Sequence, residues 1–247
     1  MAGHSKWANI KRRKGAQDAV RGKLFTKLIK EIMVAAKIGG PDPDANPRLR
    51  LAIDKAKGKS MPRNTIERAI LKGSGELKGD DYENLTYEGY GPGGVAILVE
   101  CLTDNRNRTA SDVRSSFSKG GGNLGASGSV SYMFETKGVF TVPKSAGDEE
   151  EIMMVALEAG AEDVVDDDEI WTITSEFSEY DACKKALHEL AGEALTAEIS
   201  KIPENTIALE LADATKLMKL LERLEDCDDV QETHTNADFS DEVAAQL

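Results

Sequence analysis

Between Ala16 and Lys37 the apolar residues fall at Val20, Leu24, Phe25, Leu28, Ile29, Ile32, Met33 and Ala36. Offsets of three and four place them on one stripe of an amphipathic helix. Gly39-Gly40-Pro41 stops it, because glycine ends helices and proline cannot continue them. A second helix is expected from Pro47, with Asn46 as its cap and Leu49, Ala52, Ile53 and Ala56 facing inward. A third is expected over Thr65–Lys72, with Asn64 and Glu67 at capping-box spacing and Ile66, Ala69 and Ile70 inside.

After the Gly-rich stretch Gly73–Gly79 the period changes, and strands alternate with helices. Strands are expected at Val95–Leu102, Ser129–Phe134, Gly138–Val142, Ala161–Val165, Ile170–Thr174, Ala194–Ile202, Thr206–Leu211 and Val230–Thr235. Helices are expected at Thr109–Lys119, Glu149–Ala159, Tyr180–Ala191 and Ala214–Leu224. Residues 155–164 and 221–230 echo each other as helix, tight stop, acidic pair, strand. The fold class read from this order is α+β: an all-helical N-terminal domain followed by two α+β units of the ferredoxin-like split βαβ kind.

Charge sharpens the division. The chain of 247 residues carries a net charge of −13, yet residues 1–72 hold eighteen Lys/Arg against six Asp/Glu. The remainder holds thirteen basic and 38 acidic residues. A basic module on an acidic body points to a polyanionic partner. Phosphate neutralisation by Lys and Arg dominates nucleic-acid affinity, and six contacts would cost roughly 10³ in affinity between 50 and 200 mM salt. The candidate contacts are Lys6, Lys11, Arg12, Arg13, Lys14, Arg21, Lys23, Lys27 and Lys30, joined by Arg48, Arg50, Lys55, Lys57, Lys59 and Arg63. Trp7 is placed either to stack on an unpaired base or to anchor the basic arm. Arg106 and Arg108 sit at a strand end before a helix, where exposed N–H groups suit an anion. The Gly-rich run Lys119–Ser129 reads as a mobile loop that can approach a nucleic-acid backbone.

Other chemistry is poorly served. Cys101, Cys183 and Cys227 are scattered, as are His4, His188 and His234, so no metal and no disulfide framework are expected. Gly89–Gly94 precedes a strand instead of joining strand to helix, which removes a dinucleotide loop. The glycines at 15 and 22 are too far apart for a P-loop, and Leu24 replaces its Ser/Thr. Asp166–Glu169 fits a solvated hairpin turn, and no nucleophile–base motif appears, so neither an enzyme nor a cofactor is expected. No apolar run approaches the roughly 20 residues of a membrane span. The expectation is a cytoplasmic protein with no membrane partner, of unassigned oligomeric state with a monomer favoured.

Longer motifs carry a resemblance. Residues 1–14 (MAGHSKWANIKRRK), Asn46-Pro47-Arg48-Leu49, the run from Met61 to Ile70, Tyr87–Gly94, Thr103–Thr109 and Gly121–Gly125 resemble the signature of the YebC/PmpR family across the whole chain. The resemblance implies three domains: residues 1–79, residues 80–133 with 205–247, and an inserted acidic domain of residues 134–204. It also implies no enzymatic activity and no cofactor. The expected function is a nucleic-acid-binding regulator, taken as a DNA-binding transcriptional regulator. The alternative is a translation factor that binds ribosomal RNA on the ribosome and relieves stalling at proline-rich stretches. A ligand-sensing α+β module is the third class.

Overall fold

The computed structural model describes the backbone of residues 19–167 and 169–247, and side chains from residue 22 onward except at 168 and 193. The chain forms two compact units. One contains Tyr132–Ile207 and Asn236–Asp238; the other contains the described residues up to Ser131, Ala208–Thr235 and Phe239–Leu247.

The larger unit begins with three helices, α1 (Ala19–Gly39), α2 (Pro47–Gly58) and α3 (Arg63–Gly73). The stripe that the spacing predicts on α1 packs through Leu28, Ile32, Met33 and Ala36 against Leu49, Ala52, Ile53 and Ala56 of α2 and Ile66 and Ala69 of α3. Asn46 caps α2: its Oδ1 accepts from Leu49 N at 3.1 Å, and its Nδ2 donates to Ala35 O and Gly40 O. The capping box expected at Asn64 is absent. The helix starts two residues earlier behind Pro62, so Asn64 lies inside the first turn and no side chain caps the end. Gly73 closes α3 directly over α1, where a Cβ would stand 2.3 Å from Met33 O.

The sheet that follows joins β1 (Glu83–Tyr90), β2 (Ala96–Thr103), β3 (Asn123–Leu124) and β9 (Val230–Thr235) in the order β3-β1-β2-β9. All its ladders are antiparallel. The helices α4 (Arg106–Lys119) and α7 (Leu211–Glu225) pack with each other and with this sheet. The chain ends in α8 (Asp241–Ala244). Strand β1 escapes the hydrophobic pattern because it is mostly polar and half exposed. It separates β2 from β3, which makes β2-α4-β3 a split βαβ crossover.

The smaller unit runs β4 (Phe134–Pro143), α5 (Glu149–Glu158), β5 (Ala161–Asp167), β6 (Ile170–Glu176), α6 (Tyr180–Ala191) and β7 (Thr196–Pro203). Its sheet order, β5-β6-β4-β7, is the ferredoxin-like arrangement expected. Ile152, Ala156, Ile173 and Leu187 are fully buried, and Phe140 stacks on Tyr180 with ring centroids 5.3 Å apart. Two expected strands, Ser129–Phe134 and Gly138–Val142, are instead one 3₁₀ turn and the single long strand β4. The strand expected at Thr206–Leu211 shrinks to β8 (Ile207–Ala208), because Leu211 already opens α7. A two-residue strand, β10 (Ala237–Asp238), follows β9.

Candidate nucleic-acid interface

The basic residues divide into two classes. Along one side of α1, Lys23, Lys27 and Lys30 meet the acidic turn that links α7 to β9. Lys23 Nζ donates to Asp226 Oδ1 at 2.9 Å, Lys27 Nζ to Glu225 O at 3.2 Å, and Lys30 Nζ to Asp228 O at 2.9 Å. Lys30 also pairs with Asp229 Oδ1 at 3.0 Å, is buried, and stands 5.3 Å from the centre of the Tyr82 ring. These three lysines were expected to face phosphates. They lie off the apolar stripe, and on that side of the helix each is engaged by the sheet's own turn, with Lys30 buried, Lys27 half-buried and Lys23 still exposed.

Asp229 is the hub of that contact. Its carboxylate accepts from Lys30, from Arg108 Nη2 at 2.7 Å, from Thr109 Oγ1 at 2.9 Å and from Thr103 Oγ1 at 3.2 Å. Burial by itself would raise the Asp229 pKa. The Arg108 hydrogen bond, then those of Lys30 and Thr109, outweigh burial and hold the carboxyl below its ordinary value. The same bond to Asp229, with a second to Asp104, raises the Arg108 pKa. Lys23 is raised by its hydrogen bond to Asp226. A cleft of about 540 Å³ lies here, with Lys23, Lys27, Lys30, Tyr82, Arg108 and Asp228 among its walls.

The arginine pair is also relocated. Helix α4 begins at Arg106 under an Asn105 cap, so both arginines stand within its first turn and not ahead of it. Arg108 is committed to Asp229 and Asp104, while Arg106 remains mostly exposed beside Glu83 at 3.6 Å. Arg48 forms a two-pronged bridge to Glu31 at 2.8 and 3.1 Å and reaches Asn84. Arg50 reaches back to the Pro43 and Asp44 carbonyls.

The second class faces solvent. Lys55, Lys57 and Lys59 are exposed at the C-terminal end of α2. Four residues later Arg63 opens α3, with its side chain 92 % exposed and bridged to Glu67 at 2.8 Å. Asn64 and Arg68 are exposed on the same helix. Lys6, Trp7, Lys11, Arg12, Arg13 and Lys14 lie outside the described residues, as does the Arg21 side chain.

Sequence reasoning missed two elements. The acidic run Glu225–Asp229 was visible only as half of an internal echo, and the lysines it engages lie about 200 residues away. The Gly-rich segment expected to be mobile is tethered by Glu88. This buried carboxylate accepts from the backbone N–H groups of Gly128, Val130 and Ser131 at 2.7–2.8 Å. Burial would raise the Glu88 pKa, and these backbone bonds outweigh it and lower it. No helix among the described residues is long and apolar enough to cross a membrane.

The comparisons agree with this architecture. Residues 5–76 match the family description "TACO1/YebC protein N-terminal domain", and residues 82–237 match "TACO1/YebC second and third domain". The "Probable transcriptional regulatory protein YebC" of Shigella boydii is 55 % identical over all of both chains. A probable transcriptional regulatory protein of Desulforapulum autotrophicum is 54 % identical over 98 % of each chain. A crystal structure of a conserved hypothetical protein from Aquifex aeolicus is similar with a TM-score of 0.82 and 50 % identity, covering 91 % of this chain and 93 % of that one. With both family descriptions matched and its relatives similar from end to end, the chain belongs to the TACO1/YebC family.

Proposed function

We propose that this protein is a non-enzymatic, DNA-binding transcriptional regulator that reads duplex DNA with its second and third helices. The observation that carries the reading is the exposed basic surface where α2 meets α3. The two helices are joined by the four residues Lys59–Pro62. The first helix carries Lys55 and Lys57 in its last turn with Lys59 just beyond it, and the second presents Arg63, Asn64 and Arg68 outward. In helix-turn-helix binding the second helix enters the major groove and its N-terminal residues meet base edges. Arg and Asn are the side chains that form two-pronged bonds to guanine and adenine. Lysines at the preceding helix end suit phosphates, which position the protein without reading sequence. The names of the relatives, regulatory and not enzymatic, support the same reading.

The test is ultraviolet cross-linking in growing cells followed by sequencing of the attached nucleic acid. The proposal expects reads at a limited set of promoter duplexes, with the preference lost in Arg63→Ala/Arg68→Ala. Replacing Lys55, Lys57 and Lys59 with Gln should leave sequence preference intact. It should flatten the slope of log affinity against log salt by about 2.7, near 0.9 per phosphate contact. Reads concentrated in ribosomal RNA overturn the proposal and select the translation-factor reading.

A further inference from the structure

Helix α5 of the smaller unit is apolar on both sides. Ile152 and Ala156, one turn apart, are fully buried. Met153, Met154 and Leu157 are instead 37%, 54% and 52% exposed. Residues three and four apart are neighbours on a helix surface, so these three side chains form one patch. A helix lying on a sheet is expected to turn a polar face to water. The sister helix α6 does so, with Asp181, Lys185, His188 and Glu189 exposed. Three of the nine large apolar residues exposed among the described residues sit together on α5. We propose that this face of α5 docks a lysine- or arginine-rich amphipathic helix of a partner protein.

Charge identifies the occupant. Glu150 continues the apolar stripe one turn toward the N-terminus, and Glu151 and Glu158 flank it, all three exposed. None of the three pairs with a cation among the described residues. Nearby lysines are engaged by other carboxylates: Lys137 by Glu135, Glu162 and Glu176, and Lys144 by Asp166. Residues 134–204 hold nineteen Asp/Glu against five Lys/Arg, enough to account for the whole chain's net charge of −13. A nucleic acid or an anionic membrane is repelled by such a field. A second copy docking through the same face would set these carboxylates against their own equivalents, and like charges across an interface cost affinity. A cationic amphipathic helix meets both demands. Its apolar side covers Met153, Met154 and Leu157, while its Lys or Arg stems lie along the patch and carry their charges to the carboxylates. Methionine suits the task, because its unbranched thioether re-packs around differing partners. Glu150 to Glu158 spans about 12 Å of helix, room for about two turns of a partner and a contact of the weak, transient class. The proposal does not rest on the DNA-binding reading, since α5 belongs to the smaller unit and the α2–α3 surface to the larger.

The test titrates a synthetic peptide into the full chain, whose methionine methyl groups are isotope-labelled and followed by NMR. The peptide is a lysine–leucine helix of about four turns with its leucines on one side. The expected result is a saturable shift of the Met153 and Met154 methyls, one peptide per chain, with Met33, Met61 and Met218 unmoved. A peptide of the same composition in scrambled order, with no apolar side, should bind at least about tenfold more weakly. Leu157→Ser should weaken the ordered peptide by about tenfold, and Glu150→Gln/Glu158→Gln should remove most of its salt dependence. Both variants alter exposed residues, and circular dichroism checks that they fold. Equal binding of the scrambled peptide overturns the proposal, because charge alone then suffices. Unchanged affinity in Leu157→Ser, or no shift at Met153 and Met154, does the same. Movement of these methyls with chain concentration alone, or on adding duplex DNA, would assign the face to a second copy or to nucleic acid and overturn it as well.

Discussion

Replacing Asp229 with alanine tests whether the acidic turn holds the helical segment against the sheet. The Asp229 side chain is 5 % exposed and that of its partner Lys30 is 9 % exposed. Removing the carboxylate therefore strands a buried ammonium. Breaking a buried pair in this way costs about 3–5 kcal/mol, mostly the desolvation of the remaining charge. Arg108 is better protected, because it is half exposed and keeps Asp104. Lys30 keeps one backbone acceptor, Asp228 O. The expected loss is therefore near the low end, about 3 kcal/mol. Urea unfolding followed by circular dichroism at 222 nm should show the helical transition shifted down by about 1 M, for a slope near 3 kcal/mol per molar. Lys30→Met alone leaves Asp229 paired with Arg108, so it should cost less. In the double variant the uncompensated charge is gone, and the two effects should fall short of additivity by about 1 kcal/mol or more. A loss below about 1 kcal/mol for Asp229→Ala, or strict additivity, would refute the claim that this contact is a coupled, buried network.

Two further outcomes follow from the same geometry. Glu88 and Asp229 both have pKa values lowered by folding, so each contributes stability that is complete above its unfolded pKa, about 4. That stability is lost as pH falls through the folded value. Glu88→Gln should cost about 2 kcal/mol at pH 7 and flatten the fall in Tm below pH 4, and an unaltered acid limb counts against the carboxylate clamp. Asn46→Ala removes a helix cap worth about 1 kcal/mol and two hydrogen bonds of about 1 kcal/mol each. Differential scanning calorimetry should show Tm lower by roughly 5–10 °C for a chain of this size, and a drop under 2 °C would mean that water replaces the side chain.

Much of the fold was legible because local rules and tertiary packing agree. The three-four spacing of Leu28, Ile32, Met33 and Ala36 marked the buried side of α1, and Asn46-Pro47 marked the start of α2 to the residue. Tyr180–Ala191 and Val230–Thr235 also begin and end where the pattern changes. Strand β1 was not legible, since Glu83–Tyr90 is held by ladder bonds to β2 and not by an apolar face of its own. The start of α3 was misread because Pro62, with no cap hydrogen bond, leaves no side-chain signature.

The candidate site divides along the same line. By itself the sequence determined that positive charge is concentrated in the first seventy-two residues, because charge is a property of composition. It also determined which residues can line a helix face, because the helical repeat is local. Only the tertiary structure decided which of those charges remain available. Lys30 and Arg108 meet Asp229 across about 199 and 121 residues of chain, and no spacing rule reaches that far. The same holds for Glu100 and His234, which lie 134 residues apart in sequence and 3.4 Å apart in space. Ion-pair and hydrogen-bond geometry depends on side-chain distance through space, which chain order leaves undetermined until the strands are paired.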